Sequence, residues 1–390
     1  MPDVSFPPAP SPETPAALLR LCPIHAPTPL LDLPQLAAAL GVAAVLAKDE
    51  GRRPLGSFKA LGGVYAGLRA LARASGLPVA ALLDPTARSH AAPQLALVCA
   101  SDGNHGLAVA AAARLAGARA VVFLPAIVPE ARVARIAAKG AEVVHVPGTY
   151  DDAVRAAADA ARDGRALLVS DTGHDPRDPV VADIMAGYGV LAEEIKAQLA
   201  EAGHPPPTHL FVQAGVGGLA AAMADGLHAV LAPPARVVAI EPEAAACVAA
   251  ALAAGRPVAV PGTLDTAAEM LSCGEASAPA LLALMRHGAE ALAVSEAVLL
   301  DTPALLAAHG GPATTPSGAA GRWCTRPVQG VVGCSSLFGS STPMPHKHNA
   351  DRRRRIPKMS FKVRNWRAYE AGLRRRGSLT LWIEDAALEC

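Results

Sequence analysis

A lysine in an apolar setting is the first residue of this chain whose type and surroundings could do covalent chemistry. Lys59 is one of only four lysines before residue 322, and it lies in the stretch G-S-F-K-A-L-G-G, residues 56–63. Burial among apolar neighbours favours the neutral amine, because it penalises the charged form. A neutral lysine amine is a nucleophile that can form a Schiff base with a carbonyl compound. The alternative is a surface lysine whose stem covers apolar groups while its ammonium stays in water.

A glycine-rich stretch, Q-A-G-V-G-G-L at residues 213–219, could bind a phosphate. It follows a predicted strand and opens a predicted helix, so backbone N–H groups and the positive end of the helix dipole would face an anion. Its G-x-G-G spacing differs from the G-x-G-x-x-G of dinucleotide sites, and no P-loop lysine follows it. The stretch therefore favours a phosphate monoester over a dinucleotide or ATP, with an ordinary strand-to-helix turn as the alternative.

Polar side chains follow a second predicted strand, in the stretch S-D-G-N-H-G at residues 101–106. Polar groups at the carboxyl end of a strand suit a ligand crevice. Asn104 can donate and accept hydrogen bonds, and Asp102 can move a proton if burial raises its pKa. The alternative role for Asp102 is a cap for the helix that follows.

The elements that must position these motifs alternate between strand and helix from about Ala43 to Gly321. The predicted strands are apolar on both faces, which indicates a parallel sheet covered by helices and therefore an α/β fold. The predicted strands are Ala44–Lys48, Leu95–Ala100, Ala120–Leu124, Glu142–Val146, Ala166–Val169, His209–Gln213 and Val237–Ile240. The predicted helices are Ser57–Ala74 (with Ser57 able to cap it), His105–Ala116, Asp151–Arg162, Asp183–Ala202 and Leu219–Leu231.

The composition is that of a folded protein with two domains of ordinary size. Of its 390 residues 52% are hydrophobic, 18% are charged and only 3% are aromatic, which predicts a core of Ala, Val and Leu. The net charge of +1 gives no general attraction to nucleic acid or to an anionic membrane. Without a basic start and apolar run at the N-terminus, or a membrane span, we expect a soluble cytoplasmic protein. The seven cysteines show no metal-binding spacing, so we expect no metal site and mostly buried free thiols.

The pattern changes after Gly321. Residues 322–349 show no helix or strand period, and a basic run, Arg352–Arg355, follows them. All three tryptophans of the chain lie beyond Gly321, and arginine becomes frequent there. We therefore expect residues 322–390 to be an irregular tail that is foreign to the preceding fold.

Together the three motifs, in this order, resemble the fold-type II enzymes that depend on pyridoxal phosphate (PLP). In that family the lysine of such a stretch binds PLP, a G-N-H loop contacts the phenolic oxygen of the cofactor, and a glycine-rich loop holds its phosphate. The resemblance implies these cofactor-binding residues: Lys59, Asn104, Gly215, Val216, Gly217, Gly218 and Leu219.

A narrower resemblance, to the diaminopropionate ammonia-lyases, runs from about Pro27 to Gly321. It rests on S-F-K-A-L-G and D-G-N-H-G, and on Y-D-D-A-V, S-D-T, I-M-A-G-Y and L-S-C-G-E further along the chain. It implies PLP-dependent α,β-elimination of 2,3-diaminopropionate to pyruvate and ammonia. Lys59 would bind the cofactor and transfer protons, and Asp102 would be an alternative base that also binds the second ammonium of the substrate. Asp171 would be the partner acid, or else a structural aspartate in a turn.

The resemblance also implies a division of the chain. Residues 1–60 and 166–321 would form a large PLP-binding domain, and residues 61–165 a small domain. The family places a T-E-G motif, whose threonine faces the pyridine nitrogen, beyond the position of Gly321, and this chain has no T-E-G there. Lys362–Cys390 instead resembles the start of insertion-sequence transposases, with Met359 as a possible initiator of that protein. We therefore expect a lyase truncated at its C-terminus and fused to the beginning of a transposase.

Three functions stay open at this point. The first is an active PLP lyase on a small amino acid, either diaminopropionate or a substrate of the serine and threonine dehydratase type. The second is an inactive remnant of an interrupted lyase gene. The third is a DNA-binding fusion, for which one short basic tail lacks a complete binding motif. The family suggests a homodimer, and we expect neither a membrane nor a nucleic acid as partner.

Overall fold

The computed structural model describes residues 14–19, 25–87, 95–101, 103–126, 128–148, 150–162, 164, 166–321 and 379–383. Its strands form two sheets, one of six strands and one of four. The strands are β1 (Leu30–Asp32), β2 (Val45–Asp49), β3 (Ala96–Ala100), β4 (Arg119–Pro125), β5 (Glu142–Val146), β6 (Ala166–Leu168), β7 (His209–Gln213), β8 (Arg236–Pro242), β9 (Glu290–Val294) and β10 (Leu379–Ile383).

The four-stranded sheet has the order β5-β4-β3-β6, and all its pairs are parallel. The six-stranded sheet has the order β1-β2-β10-β7-β8-β9. Its β7, β8 and β9 are parallel to one another, whereas β1 is antiparallel to β2 and β10 is antiparallel to both of its neighbours. The carboxyl ends of β3 and β7 carry the two motifs that the sequence places after strands, so these ends position the candidate site.

Helices connect and cover the strands, as parallel pairing requires. They are α1 (Pro15–Leu19), α2 (Pro34–Leu40), α3 (Lys59–Ser75), α4 (Val79–Leu83), α5 (Asn104–Ala116), α6 (Glu130–Ala137), α7 (Tyr150–Ala160), α8 (Pro179–Ala202), α9 (Gly218–Leu227), α10 (Cys247–Ala254), α11 (Ala278–Arg286), α12 (Glu296–Ala308) and α13 (Pro316–Ala319). Among the described residues, none of these helices is long and apolar enough to cross a membrane.

The helix that begins at Lys59 is held by close contacts between backbones. A side-chain carbon on Gly187 of α8 would lie only 2.7 Å from the Cα atom of Gly62 on α3, so both positions need glycine. The buried core around these helices consists mainly of Ala, Val and Leu, as the composition predicts. Small side chains bring α3 close to α8, and this fixes the direction in which Lys59 projects.

The predicted α/β fold is confirmed, and the predicted boundaries lie close to the observed ones. The strands Glu142–Val146 and His209–Gln213 have the predicted bounds. The lysine helix begins at Lys59 instead of Ser57, and its N-cap position is Phe58, with no side-chain cap, so the prediction that Ser57 caps it is wrong. A strand within the segment after Gly321 was not among the predicted elements.

Candidate active site

A cavity of about 300 Å³ brings together the motifs that are far apart in the sequence. Its wall is formed by the start of α3, the loops that follow β3, β6 and β7, and the start of α13. The sequence-predicted residues that line it are Lys59, Asn104, Asp171, Gly215, Val216, Gly217, Gly218 and Leu219. Asp102, predicted as an alternative base, lies outside the described residues.

Lys59 and Asp171 form an ion pair in the cavity wall. The Nζ atom of Lys59, the first residue of α3, donates a hydrogen bond to Oδ2 of Asp171, which follows β6. The Lys59 side chain is 23% exposed and that of Asp171 is 14% exposed, so the pair is partly shielded from water, and both residues line the cavity. The ring of Phe58 lies 5.7 Å from the Lys59 Nζ atom and keeps its surroundings apolar.

The ion pair corrects one expectation about Lys59. Burial by itself lowers the pKa of Lys59, as the apolar neighbours predicted, but the Asp171 carboxylate acts in the opposite direction. The net pKa of Lys59 lies above its usual value, so the amine is charged. The structure therefore differs from the expectation of a neutral amine, because the carboxylate of Asp171, 112 positions away, contacts Lys59 directly.

The same ion pair also shifts the pKa of Asp171. Burial raises its pKa, and the Lys59 ammonium outweighs burial and holds the pKa well below its usual range. The buried imidazole of His105 also lowers the pKa of Asp171. Asp171 is thus a carboxylate while Lys59 is charged. When Lys59 is uncharged, burial remains and favours a proton on Asp171.

The glycine-rich loop connects β7 to α9 and lines the same cavity. Gly217 has φ +95°, a conformation that favours glycine, and it is the N-cap residue of α9. A side-chain carbon on Gly215 would lie 3.0 Å from Sγ of Cys273, and one on Gly217 would lie 3.2 Å from Cγ2 of Val248. The loop lines the cavity beside the N–H groups that begin a ten-residue helix.

The third motif contributes two neighbouring residues at the start of α5. Asn104 lines the cavity as the first residue of the helix. His105 is buried, and its Nε2 atom lies 2.7 Å from the carbonyl oxygen of Val169, while its Nδ1 atom has no partner among the described residues. Burial lowers the pKa of His105 and so disfavours its charged form.

Two cavity residues, Tyr188 and Gln213, were not predicted as site residues. Tyr188 lies on α8 and Gln213 ends β7; both are buried, and their polar side-chain atoms have no partner among the described residues. Both belong to stretches that the sequence analysis used, I-M-A-G-Y and Q-A-G-V-G-G-L. A tyrosine inside an amphipathic helix carries no local sign that it reaches a ligand, so only the packing of α8 on α3 shows it.

These features fit PLP. The fit rests on three properties of the wall: a reactive lysine, a glycine loop at a helix start that can bind a phosphate, and unpaired buried polar atoms on Tyr188, Gln213 and His105 that a ligand could satisfy. Lys59, Asn104 and the glycine loop line the same cavity as these atoms.

Comparison with known proteins gives a family and a set of relatives. The family described as pyridoxal-phosphate dependent enzyme matches residues 21–322. Diaminopropionate ammonia-lyase of Escherichia coli (strain K12) is 35% identical over 253 residues, which are 64% of this chain and 63% of that protein. The protein of the same name in Salmonella typhimurium (strain LT2) is 37% identical over 268 residues, 66% of each chain. This chain thus spans less than two thirds of the length of these curated relatives.

A solved structure extends the similarity to the fold. The crystal structure of diaminopropionate ammonia lyase from Escherichia coli in complex with D-serine superposes with a TM-score of 0.69 at 31% identity. The superposition covers 79% of this chain and 80% of that one. The similarity therefore includes both the fold and most of the length over which the cavity residues are distributed.

Proposed function

Because this chain belongs to the family of pyridoxal-phosphate-dependent enzymes, we propose that it eliminates ammonia from 2,3-diaminopropionate to give pyruvate and a second ammonia. Its relatives in two bacteria are diaminopropionate ammonia-lyases. The observation that carries the proposal is the cavity that holds the Lys59–Asp171 ion pair, Asn104 and the glycine loop in one wall.

In this proposal the described residues bind the cofactor at its two ends. The backbone of the loop Gly215–Leu219 holds the phosphate at the start of α9. Lys59 binds the cofactor covalently, and Asn104 contacts its phenolic oxygen. When bound, PLP supplies an electron sink for the negative charge that develops on the substrate α-carbon.

The protons of the proposed reaction are held and transferred by Lys59, Asp171 and Asp102. Lys59, as a neutral amine, takes the proton from the substrate α-carbon. Asp171 stabilises the Lys59 ammonium that results and acts as an acid only while Lys59 is uncharged, since burial then favours its protonated form. Asp102 is proposed, from its sequence motif, as the alternative base and as the group that binds the second ammonium of the substrate.

The proposal extends to the organisation of the protein. We propose a cytoplasmic homodimer in which residues 1–60 and 166–321 form the cofactor-binding domain and residues 61–165 the small domain. The two sheets favour a division of this kind with a later boundary, because β6 (Ala166–Leu168) pairs with β3 in the four-stranded sheet, whose other strands lie between residues 96 and 146. The six-stranded sheet takes its strands from the remaining parts of the chain.

We also propose that residues 322–390 are foreign to the enzyme and derive, from about residue 359, from the start of a transposase. The family match ends at residue 322, and every tryptophan of the chain lies beyond it. The strand β10 of this segment nevertheless lies between β2 and β7 in the six-stranded sheet. In this proposal a segment of foreign origin therefore completes the sheet of the enzyme.

Two measurements on the full chain test the function. Pyruvate release should be followed with 2,3-diaminopropionate in its D and L forms, and with D-serine and L-serine to test the dehydratase alternative. The purified chain should be yellow with PLP, and the Lys59→Ala variant should be colourless and inactive. Turnover of serine alone would replace the ammonia-lyase by the dehydratase alternative, and cofactor binding without any turnover would indicate an inactive remnant.

A further inference from the structure

Glu241 is a buried carboxylate that the proposed reaction does not use. It lies near the end of β8 and is 0% exposed. Its Oε1 atom accepts a hydrogen bond from the N–H of Val248 over 2.7 Å, and its Oε2 atom accepts one from the N–H of Ala249 over 2.8 Å. These are the second and third residues of α10, so the carboxylate of Glu241 caps that helix at the positive end of its dipole.

The first turn of α10 contacts the glycine loop at two points. The thiol of Cys247, the first residue of α10, donates a hydrogen bond to the carbonyl oxygen of Gly215 over 3.3 Å. The side chain of Val248 packs against Gly217, where a side-chain carbon would lie 3.2 Å from the Cγ2 atom of Val248. Cys247 and Val248 are both 0% exposed. The turn that Glu241 holds is therefore the turn that contacts the loop.

The carbonyl groups of the glycine loop are held from two elements. The carbonyl group of Gly215 points to Cys247 on α10, and that of Val216 accepts a hydrogen bond from the N–H of Ser277 over 2.9 Å. In a trans peptide the C=O and the N–H point in opposite directions, so the N–H groups of Val216 and Gly217 point away from these partners. Successive backbone N–H groups held in this way can bind an anion. The contact from α10 thus helps to set the direction of the donors in the loop.

We propose that Glu241 is a positioning residue for the glycine loop: it fixes the start of α10, and the start of α10 fixes Gly215 and Gly217. Glu241 does not line the cavity, so it acts on the loop through α10. Burial raises the pKa of Glu241 to about 7, and its hydrogen bonds to α10 oppose that rise. The role rests on the proposed function, in which this loop binds the phosphate of PLP.

The proposal predicts a loss of affinity that is specific to the phosphate group. Pyridoxal is PLP without its phosphate, so the ratio of the two dissociation constants measures what the phosphate contributes to binding. A change that only destabilises the chain weakens both ligands and leaves the ratio unchanged. Glu241→Gln replaces one accepting oxygen by an NH₂ donor that faces a backbone N–H, which disturbs the start of α10. The advantage of PLP over pyridoxal should fall about five- to tenfold, the effect of about one lost hydrogen bond.

A pair of variants at Cys247 tests the link between α10 and the loop even if Glu241→Gln does not fold. Cys247→Ala removes the donor to Gly215 and should lower the advantage of PLP about fivefold. Cys247→Ser keeps a donor and should restore most of that advantage. Asp178→Asn is the matched control, because Asp178 caps α8 through two backbone N–H groups in the same way and does not line the cavity. This control should lose stability and keep the ratio of the parent.

Both dissociation constants are measured at pH 8 on the full chain freed of cofactor, from the visible absorbance of the bound ligand. An unchanged ratio in Glu241→Gln or in Cys247→Ala, with a lower melting temperature or with equal losses for both ligands, would overturn the proposal and leave Glu241 a helix cap alone. A parent chain that binds PLP no better than pyridoxal would overturn it as well. Because no substrate is present, the predicted ratios without any pyruvate release would count against the lyase reaction alone.

Discussion

Arg53 forms a buried bidentate ion pair with Glu194, which lies 141 positions further along the chain. Nη1 and Nη2 of Arg53 donate to Oε1 and Oε2 of Glu194, each over 2.7 Å, and Lys48 Nζ lies 2.8 Å from the same carboxylate. Arg53 stands six residues before Lys59, and Glu194 lies on α8, six residues after Tyr188. The pair therefore ties the segment that leads into the reactive lysine to the helix that covers it.

This pair predicts a large loss of stability when one partner is removed. Glu194→Gln would leave the buried Arg53 and Lys48 cations with less compensation, and breaking a buried pair in this way costs about 3–5 kcal/mol. Urea denaturation of the variant and the parent measures the difference. Glu193→Gln is the matched control, because Glu193 is exposed and its pair with Lys196 lies on the surface, where about 0–1 kcal/mol is expected. Equal losses in the two variants would contradict the account.

The charge of Lys59 predicts a shift in the pH dependence of cofactor binding. In Asp171→Asn the burial that lowers the pKa of Lys59 remains, and the carboxylate that raises it is gone. Because covalent binding needs the neutral amine, the pH at half-maximal visible absorbance of bound PLP should be lower than in the parent. Asp175→Asn, on the exposed part of the same loop, should keep the parent midpoint. An unchanged midpoint in Asp171→Asn would show that Asp171 does not control Lys59.

The backbone conformation of the glycine loop predicts that the substitution Gly217→Ala selectively weakens the binding of PLP. Gly217→Ala forces a non-glycine residue to φ +95° and places its side chain 3.2 Å from Val248, a strain of about 1–2 kcal/mol. If this strain falls on the binding loop, the dissociation constant of PLP should rise about tenfold. Gly255→Ala is the control, since its φ is also positive at +66° and nothing lies near it. This control should lose stability but bind PLP as the parent does.

The position of strand β10 in the six-stranded sheet predicts that the segment after Gly321 contributes to the stability of the fold. It pairs with β2, which leads to Lys59, and with β7, which leads to the phosphate loop. Leu381→Pro removes a backbone donor in the middle of this central strand, so the melting temperature and the retention of PLP should both fall. Leu381→Ala keeps the backbone donor and should fall less. A Leu381→Pro chain that melts and binds as the parent does would show that β10 does not hold the sheet together.

Sequence patterns predicted the strands whose apolar and β-branched runs are bounded by clear turn signals. The strand before the glycine loop, His209–Gln213, is an example, because its apolar run is bounded by polar residues on both sides. The strand β9 was missed because its sequence, E-A-L-A-V, is rich in alanine and leucine and favours helix as much as strand. The antiparallel β1 was missed because three residues give too short a pattern.

Sequence reasoning predicted which residues line the candidate site better than it predicted their charges. The family resemblance of the motifs predicted that Lys59, Asn104 and the glycine loop belong to one site, and all of them line one cavity, although the strands β3 and β7 that precede two of these motifs lie in different sheets. The charge of Lys59 and the placement of Tyr188 depend on contacts between residues more than a hundred positions apart, which no local pattern encodes.

Locating the cofactor on the chain tests the central claim most directly. The purified full chain should be incubated with PLP, reduced with sodium borohydride and digested, and mass spectrometry should then locate the phosphopyridoxyl group. The account predicts this group on Lys59, and no comparable label in the Lys59→Ala variant. Label on Lys48, Lys139 or Lys196 at the level of Lys59, or no label at all, would contradict it.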